Sequence, residues 1–207
     1  MFLKSIVRNT YGQGLIEAIA GIFVIVIGLI GVLSIAHSSI SSHYEAKTRI
    51  IAANLAREGV EVVHNIRDSN WIAGRNWDNG LYSINDYHGV PVFAYNGDNS
   101  WQIDFNPDNF SDVDTEIYEF QSGVYKGLFL QKDPSSVNAV KTLYKRFITL
   151  KVICYDSSSG IEDAPLAKAH CLGGNEKIGV RIISEIRWTE HNRSHSLIVE
   201  DSVYDWR

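Results

Sequence analysis

The chain has 207 residues, of which 45% are apolar, and its formal net charge at neutral pH is −5. This length leaves room for one long helix and one domain of about 130–140 residues. The weakly acidic balance contains no basic stripe of the kind that nucleic-acid binding needs, so we expect no nucleic-acid contact from this chain.

The chain opens with a short polar segment, residues 1–12, MFLKSIVRNTYG. It carries the basic side chains Lys4 and Arg8 and no acidic one. A long apolar run follows, from Ala18 to Ala36, and it holds no ionisable side chain. At about 1.5 Å per residue, such a helix can cross the roughly 30 Å hydrocarbon core of a bilayer. The basic residues before the run predict a single-pass membrane protein with a cytoplasmic N-terminus.

One carboxylate, Glu17, lies just ahead of the apolar run, and the next Asp, Glu, Lys or Arg is Glu45. A charged side chain costs about 2–3 kcal/mol at the centre of a bilayer and less near its interface. Glu17 in the headgroup region with no particular role is therefore one open interpretation. A secretory signal would have a shorter apolar core and a small-residue cleavage site behind it. Here the small residue, Gly12, stands before the run instead.

The stretch GQGLIE, from Gly12 to Glu17, thus joins a basic leader to an unbroken apolar helix. This combination resembles the prepilin signal of type IV pilins and pseudopilins. In that family a membrane peptidase cuts after the glycine and methylates the new N-terminus, and the fifth mature residue is a glutamate. The resemblance implies cleavage after Gly12, a mature chain that begins at Gln13, and a role in assembly for Glu17.

The resemblance also implies partners and a non-enzymatic function. In filaments of this family the glutamate faces the N-terminal amine of a neighbouring subunit inside an apolar core. A buried carboxylate is tolerated when a cation pairs with it, and leaving one partner alone costs several kcal/mol. The implied partners are the prepilin peptidase, other pilin or pseudopilin subunits, the inner-membrane assembly platform and membrane lipid. The implied location is the cell membrane, with an extracytoplasmic C-terminal domain, or an extracellular filament.

Some positions depart from the family pattern. Gln13 replaces the usual phenylalanine or methionine, Gly14 the usual threonine or serine, and Ser34 stands where major pilins often carry a proline. These departures favour a minor pilin or a pseudopilin over a major pilin. A different class of function is also open, namely a permanently anchored single-pass surface protein in which residues 68–207 form an adhesin or binding domain and no filament is built. An uncut Gly12 would favour this alternative.

One long helix is predicted over residues 13–67, ending at about Arg67, with a transmembrane part over about 15–36 and an amphipathic part over about 43–67. Its apolar residues recur with a period near 3.6, which is typical of one buried helix face. The apolar face consists of Ile51, Leu55, Val62 and Ile66, flanked by Ala52, Ala56 and Val63. The polar face consists of Glu45, Lys47, Arg49, Arg57, Glu58 and Glu61.

Two features of this helix leave alternatives open. A cluster of serines between His37 and Ser42 allows a break where the chain leaves the membrane. Gly21, Gly28 and Gly31 lie on one side of the span. They either let a neighbouring helix approach closely or reflect the general frequency of glycine in membrane helices.

Helix signals end at Asp68-Ser69-Asn70, and residues 68–117 read as loops and short strands. Three longer stretches alternate apolar and polar residues and are rich in β-branched and aromatic side chains, which is typical of strands. A short turn at His191-Asn192 predicts a hairpin between the last two. The predicted strands are 143–155, 178–190 and 193–206, joined by an earlier strand around Glu116–Leu130. The fold class predicted is therefore α+β, a long N-terminal helix packed on an antiparallel sheet, as in pilins.

The two cysteines, Cys154 and Cys171, lie in the part predicted to be extracytoplasmic, where disulfides persist. They bracket a loop of sixteen residues, and many pilins carry a disulfide near the C-terminus. A bridge is the preferred interpretation and would stabilise the fold by about 3 kcal/mol in the chain-entropy model. Two unpaired thiols are the alternative.

Catalytic and cofactor signatures are absent from the sequence. His170 beside Cys171 does not make zinc spacing, and His191 and His195 lie in a predicted strand region. Acidic loop residues suggest calcium only weakly, because the ligand spacing of an EF-hand is missing. Tryptophans on polar loops either bind a sugar or a surface or cover a small core. The acidic residues are Asp108, Asp112, Asp114 and Glu116, and the tryptophans are Trp71, Trp77 and Trp101. We expect no enzyme activity, cofactor or metal.

Overall fold

The computed structural model describes residues 13–83, 87–94, 99–107, 109–123, 126–131, 138–156, 158–163, 171, 175–190 and 192–206. The predicted leader, residues 1–12, lies outside this set. The chain divides into two compact units, residues 1–48 and residues 49–207.

The described residues of the first unit form the beginning of one long helix, α1, which extends from Gln13 to Ile72. Every residue from 14 to 47 is exposed. The helix is continuous across residues 37–42, so the break that the serine cluster made conceivable does not occur. Ser42 Oγ donates a hydrogen bond to the carbonyl oxygen of Ser38 at 3.0 Å. The hydroxyl is therefore satisfied within the helix and does not interrupt it.

The second unit contains an antiparallel sheet that packs against the C-terminal part of α1. The long strand β5 pairs along one edge with β7, which in turn pairs with β8, and successive parts of its other edge pair with β3, β1 and β6. A short 3-10 helix, Val113–Thr115, precedes β3. The strands are β1 His88–Phe93, β2 Trp101–Asp104, β3 Glu116–Phe120, β4 Phe129–Gln131, β5 Ala139–Asp156, β6 Ile161–Asp163, β7 Glu176–Glu190 and β8 Arg193–Tyr204.

The three predicted long strands and the hairpin between the last two are confirmed, with His191 itself outside the described residues. Asn192 has a φ of 60°, which suits a tight turn. The single strand predicted around Glu116–Leu130 is instead a hairpin of β3 and β4. Gly123 and Gly127, with φ of 80° and 84°, let the chain reverse there, and the Gly127 amide donates to the carbonyl oxygen of Phe120 at 2.8 Å.

The predicted apolar face of the helix is buried against the sheet, which confirms the α+β layout. Leu55, Val62 and Ile66 are at most 7% exposed, while Ile51 is half-buried at the margin. They meet the inward-pointing residues of the long strands. The buried sheet residues in this core are Ile117 on β3, Tyr144, Ile148 and Leu150 on β5, Val180, Ile182, Ile186 and Trp188 on β7, and Val203 on β8.

The helix ends at Ile72, five residues beyond the predicted Arg67. Asn70 belongs to the predicted stop signal, yet it is buried in the helix. Its Nδ2 donates to the carbonyl oxygens of Trp77 at 3.1 Å and Asn79 at 2.8 Å. The amide thus bonds to the following loop and does not compete with the helical backbone. Gly74, two residues beyond the end of the helix, has a φ of +66°, which is typical of the residue that follows a helix C-terminus.

The preferred interpretation of the cysteines is confirmed, because Cys154 and Cys171 form a disulfide with a Cα–Cα distance of 5.6 Å. Cys154 lies on β5 and is buried. The short strand β6 lies within the loop that the bond closes, and it pairs with β5 from Cys154 to Asp156. The loop is therefore tied to the sheet at two places.

Candidate functional site

The most unusual surface of the molecule is the first part of α1. Its apolar side chains are exposed on all sides of the helix, for example Ile16 at 70%, Phe23 at 64% and Leu33 at 67%. Among the described residues, this is the one helix long and apolar enough to cross a membrane, and no part of its apolar window is buried. Water is a poor environment for so extensive an apolar surface, so the helix has the properties of a membrane span.

The predicted processing and assembly residues lie at the start of this helix. Gly12 lies outside the described residues, and Gln13 is the first residue of α1, its side chain undescribed. Glu17 is exposed four residues later, on the same side of the helix as Gln13. No described residue forms an ion pair with it. Glu17 therefore presents a carboxylate close to the positive end of the helix dipole.

The glycines of the span lie in open surroundings. A Cβ atom added at Gly21, Gly28 or Gly31 would meet nothing within 4 Å. Gly59, in the second unit, differs, because a Cβ there would lie 2.5 Å from Ser184 Oγ and 3.2 Å from Ile148 Cδ1. Glycine at 59 is thus what allows the helix to lie close on the sheet, whereas the first three have room for a partner's approach.

A buried polar cluster under the helix was not predicted. Arg146 on β5 is fully buried, and its Nη1 donates to Glu58 Oε2 at 2.9 Å and to the carbonyl oxygen of Leu55 at 3.0 Å. Its Nε donates to Gln131 Oε1 at 2.7 Å. Gln131 Nε2 in turn donates to the carbonyl oxygen of Arg146. One guanidinium therefore connects the helix, β4 and β5.

Burial lowers the pKa of Arg146, and the nearby Glu58 carboxylate partly offsets this shift. The group stays charged at neutral pH, because arginine is not deprotonated in proteins. Arg146 Nη2 and Ser184 Oγ lack a hydrogen-bond partner among the described residues. Glu58, which was predicted to lie on the polar face of the helix, is 36% exposed at its side chain, and its pairing with Arg146 was not predicted. The sequence did contain a signal for the burial of Arg146, because side chains two residues apart on a strand share a face, and Arg146 therefore lies on the same face as Tyr144 and Ile148.

The acidic residues weighed as calcium ligands have other contacts. Asp112 caps the 3-10 helix by accepting a hydrogen bond from the Asp114 amide. The Glu116 side chain is 11% exposed and pairs with Lys141 Nζ at 2.6 Å and Lys145 Nζ at 3.6 Å. Burial alone would raise the pKa of Glu116, but Lys141 and its other partners hold it below the usual value. No group of three metal-ligating side chains occurs in the part of the chain that the structure describes, from which Asp108 is missing.

The tryptophans mainly cover the core. Trp77 is buried, and Trp71 and Trp101 are half-buried against the same core cluster. Trp71 contacts Trp206 edge-to-face at 4.6 Å between ring centroids. His195 stacks on Trp188 at 5.2 Å. His170 lies outside the described residues.

Comparison of the chain with protein-family models, with characterised proteins and with solved structures found no match. Function therefore has to be inferred from this chain's own residues and geometry.

Proposed function

We propose that the chain is a structural subunit, a minor pilin or pseudopilin, of a type IV pilus-like or type II secretion-like filament. In this proposal the chain is cut after Gly12 and assembles through its N-terminal helix. The observation that carries the proposal is one continuous exposed apolar helix with a single carboxylate, Glu17, near its start, preceded by a basic leader and a glycine.

The exposed apolar surface supports assembly as well as anchoring. Residues 14–47 are exposed around the whole helix. Packing of one side of this helix against a single neighbour would therefore leave most of its apolar surface exposed to water. Lipid covers such a surface before assembly, and neighbouring helices of the same kind cover it in a filament core. The same helix thus serves both states without changing its secondary structure.

Glu17 supports a defined register between subunits. The new amine at Gln13 of one subunit and the Glu17 carboxylate of its neighbour carry opposite charges in an apolar environment. Coulomb attraction is much stronger there than in water, and an unpaired charge costs several kcal/mol. Only a register that joins the two groups avoids this cost, so the pair selects one axial offset between neighbouring helices.

The second unit supports the proposed topology. Its disulfide between Cys154 and Cys171 is of the kind that persists outside the cytoplasm. Lys4 and Arg8 before the span favour a cytoplasmic leader. The globular domain would therefore lie on the extracytoplasmic side, where a filament subunit displays it.

Mass spectrometry of the N-terminus, on protein from its native membrane, tests the proposal. We expect a chain that begins at Gln13 with an N-methyl group, and Gly12→Leu is expected to leave the chain uncut. Ser5→Leu, within the leader, serves as the control and is expected to be processed normally. A native N-terminus at Met1 in cells with an active prepilin peptidase would contradict cleavage and favour the permanently anchored surface protein.

The same spectrum tests the assembly step separately. An N-terminal glutamine can cyclise with loss of ammonia, which would remove the amine that Glu17 is proposed to meet. Ammonia loss at Gln13 in place of methylation would leave cleavage intact and contradict the charge pair.

A further inference from the structure

A cleft of about 510 Å³ lies between the last turns of α1, the loop that follows it and strand β2. We name it the Trp101 cleft, and its lining includes Asn65, Arg75, Asn79, Trp101 and Gln102. Its volume is within the range of about 300–1,000 Å³ that is typical of small-molecule sites. All of its lining residues belong to the second unit.

The side chains of the Trp101 cleft suit a ligand rich in hydroxyl groups. The amides of Asn65, Asn79 and Gln102 each offer both donors and an acceptor, as a sugar hydroxyl requires. The indole of Trp101 adds an apolar wall with a polar edge. Among the described residues that line the cleft, Arg75 is the one charged residue, and none of them carries a carboxylate. We propose that the Trp101 cleft binds a neutral oligosaccharide.

The walls of the cleft are held in place by the fold. Trp101 lies opposite Phe93 in the β1–β2 ladder, with their rings edge-to-face at 5.2 Å. The loop wall is fixed by the buried Asn70, which bonds to the carbonyl oxygens of Trp77 and Asn79. A site that is already ordered loses little conformational entropy when a ligand binds.

Two neighbouring depressions extend the site. One, of about 440 Å³, shares Arg75 and Asn79 with the Trp101 cleft and adds the ring of Tyr82. The other, of about 310 Å³, shares Asn65 and Trp101. We call the cleft and the two depressions that share lining residues with it the track, and a ligand longer than one sugar unit can contact more than one of its parts.

The charges along the track limit what the ligand can carry. The depression beyond Trp101 is lined by Glu58, Glu61 and Asp68. Glu58 pairs with Arg146 and Asp68 with Arg67, while the opposite depression contains Arg75 and also Asp78, which pairs with Lys177. A polysaccharide with a negative charge on every unit would meet one Lys or Arg side chain, Arg75, among the described residues that line the track, so its binding is disfavoured. Binding does not depend on filament assembly, because the track lies within a single chain.

The test uses the full chain in a detergent without a sugar headgroup, titrated calorimetrically with tri- to hexasaccharides. The panel holds neutral cello-, xylo-, malto- and chito-oligosaccharides, with oligogalacturonate as the polyanion. We expect at least one neutral member to bind at millimolar concentration or below and the polyanion to bind more weakly. Binding to none of the neutral members, or preferred binding of the polyanion, would overturn the proposal.

Variants at exposed cleft positions localise the binding. Asn65→Ala and Arg75→Ala are each expected to weaken it by about threefold to tenfold, the usual effect of losing one hydrogen bond. Asn54→Ala, at an exposed asparagine of the same helix outside the cleft lining, is the matched control and should not change the affinity. Trp101→Phe retains an aromatic ring beside Phe93 and should also weaken binding, with thermal melts confirming the fold. Binding that Asn65→Ala and Arg75→Ala both leave unchanged would place the ligand elsewhere and overturn the proposal.

Discussion

The two parts of α1 are continuous in secondary structure but differ in how their apolar residues are arranged. From residue 14 to 47 the helix is exposed around its whole circumference, and its apolar residues cover every side of the span. From residue 49 onwards, apolar residues form one stripe, and that stripe is buried against the sheet. The difference shows how the arrangement of apolar residues determines what a helix packs against. A helix with one apolar stripe packs against a single layer such as a sheet, whereas a helix that is apolar on all sides needs an apolar environment all round.

Each part also contains a carboxylate and a glycine, so the comparison extends to single residues. Glu58 pairs with the buried Arg146, whereas no described residue pairs with Glu17. Gly59 lies against Ser184, whereas Gly28 lies in open space. Within the described residues, the sheet therefore supplies the contacts of Glu58 and Gly59, whereas Glu17 and Gly28 have no comparable contact.

The largest effect is expected from a charge placed in each apolar surface. Val63 is fully buried, so Val63→Asp should lower the free energy of unfolding of the domain by more than about 4 kcal/mol. The free energy of unfolding of a whole domain is usually about 5–15 kcal/mol, so this loss is a large part of it. Ile27→Asp, at a side chain that is 54% exposed, is the matched variant and should leave the domain's melting unchanged. Thermal melts of the full chain in detergent, followed by near-ultraviolet circular dichroism, measure both. Equal destabilisation by the two variants would show that the two parts do not differ in this way.

The two carboxylates are expected to separate folding from assembly. Glu58→Gln should lower the free energy of unfolding by about 2–3 kcal/mol, because Arg146 loses its counter-charge. The loss stays below that of a fully buried pair, since Glu58 is 36% exposed and partly screened. Glu17→Gln should leave the melting temperature unchanged and reduce incorporation into filaments at native expression. Normal incorporation of the Glu17 variant would instead favour the interpretation that Glu17 lies in the headgroup region and has no role in assembly.

The two glycines sharpen the comparison at the level of packing. Gly59→Ala should cost about 1–3 kcal/mol, because the new methyl group would overlap Ser184 Oγ. Adding Ser184→Ala should recover part of the loss, since the removed hydroxyl has no partner among the described residues. Gly28→Ala is the matched change in open space and should not alter the domain's melting. A double variant no more stable than Gly59→Ala alone would mean that Ser184 is not the obstacle.

The smallest effect concerns acid stability, which should depend on the sheet and not on Glu17. The pKa of Glu116 in the folded domain lies below its ordinary value of 4.5. Its contribution is therefore complete above that ordinary value and is lost as the pH falls through the lowered one. Glu116→Gln should cost about 1 kcal/mol at neutral pH and nothing in strong acid. Melts at neutral pH and in strong acid measure this difference. An unchanged loss at both values would contradict the shift, and Glu17→Gln should show no loss at either.

Features that depend on local pattern could be predicted from the sequence. The span, the buried face at Leu55, Val62 and Ile66, and the β7–β8 hairpin follow from periodicities of 3.6 and 2 together with turn residues. The Cys154–Cys171 bond was favoured as well, because the two cysteines bracket a loop of sixteen residues in the part of the chain predicted to be extracytoplasmic, where disulfides persist.

Features that depend on distant partners were decided by the tertiary structure. Arg146 and Glu58 are 88 residues apart in sequence, so no local pattern showed that a buried cation meets a carboxylate of the helix. Asp68-Ser69-Asn70 did not end α1, because the side-chain amide of Asn70 donates hydrogen bonds to the loop that follows the helix and does not compete for the helical backbone. The Trp101 cleft likewise joins residues of α1, the loop and β2. Periodicity determines which face of an element is apolar, whereas the position of a polar side chain is set by whichever donor or acceptor the folded chain brings beside it.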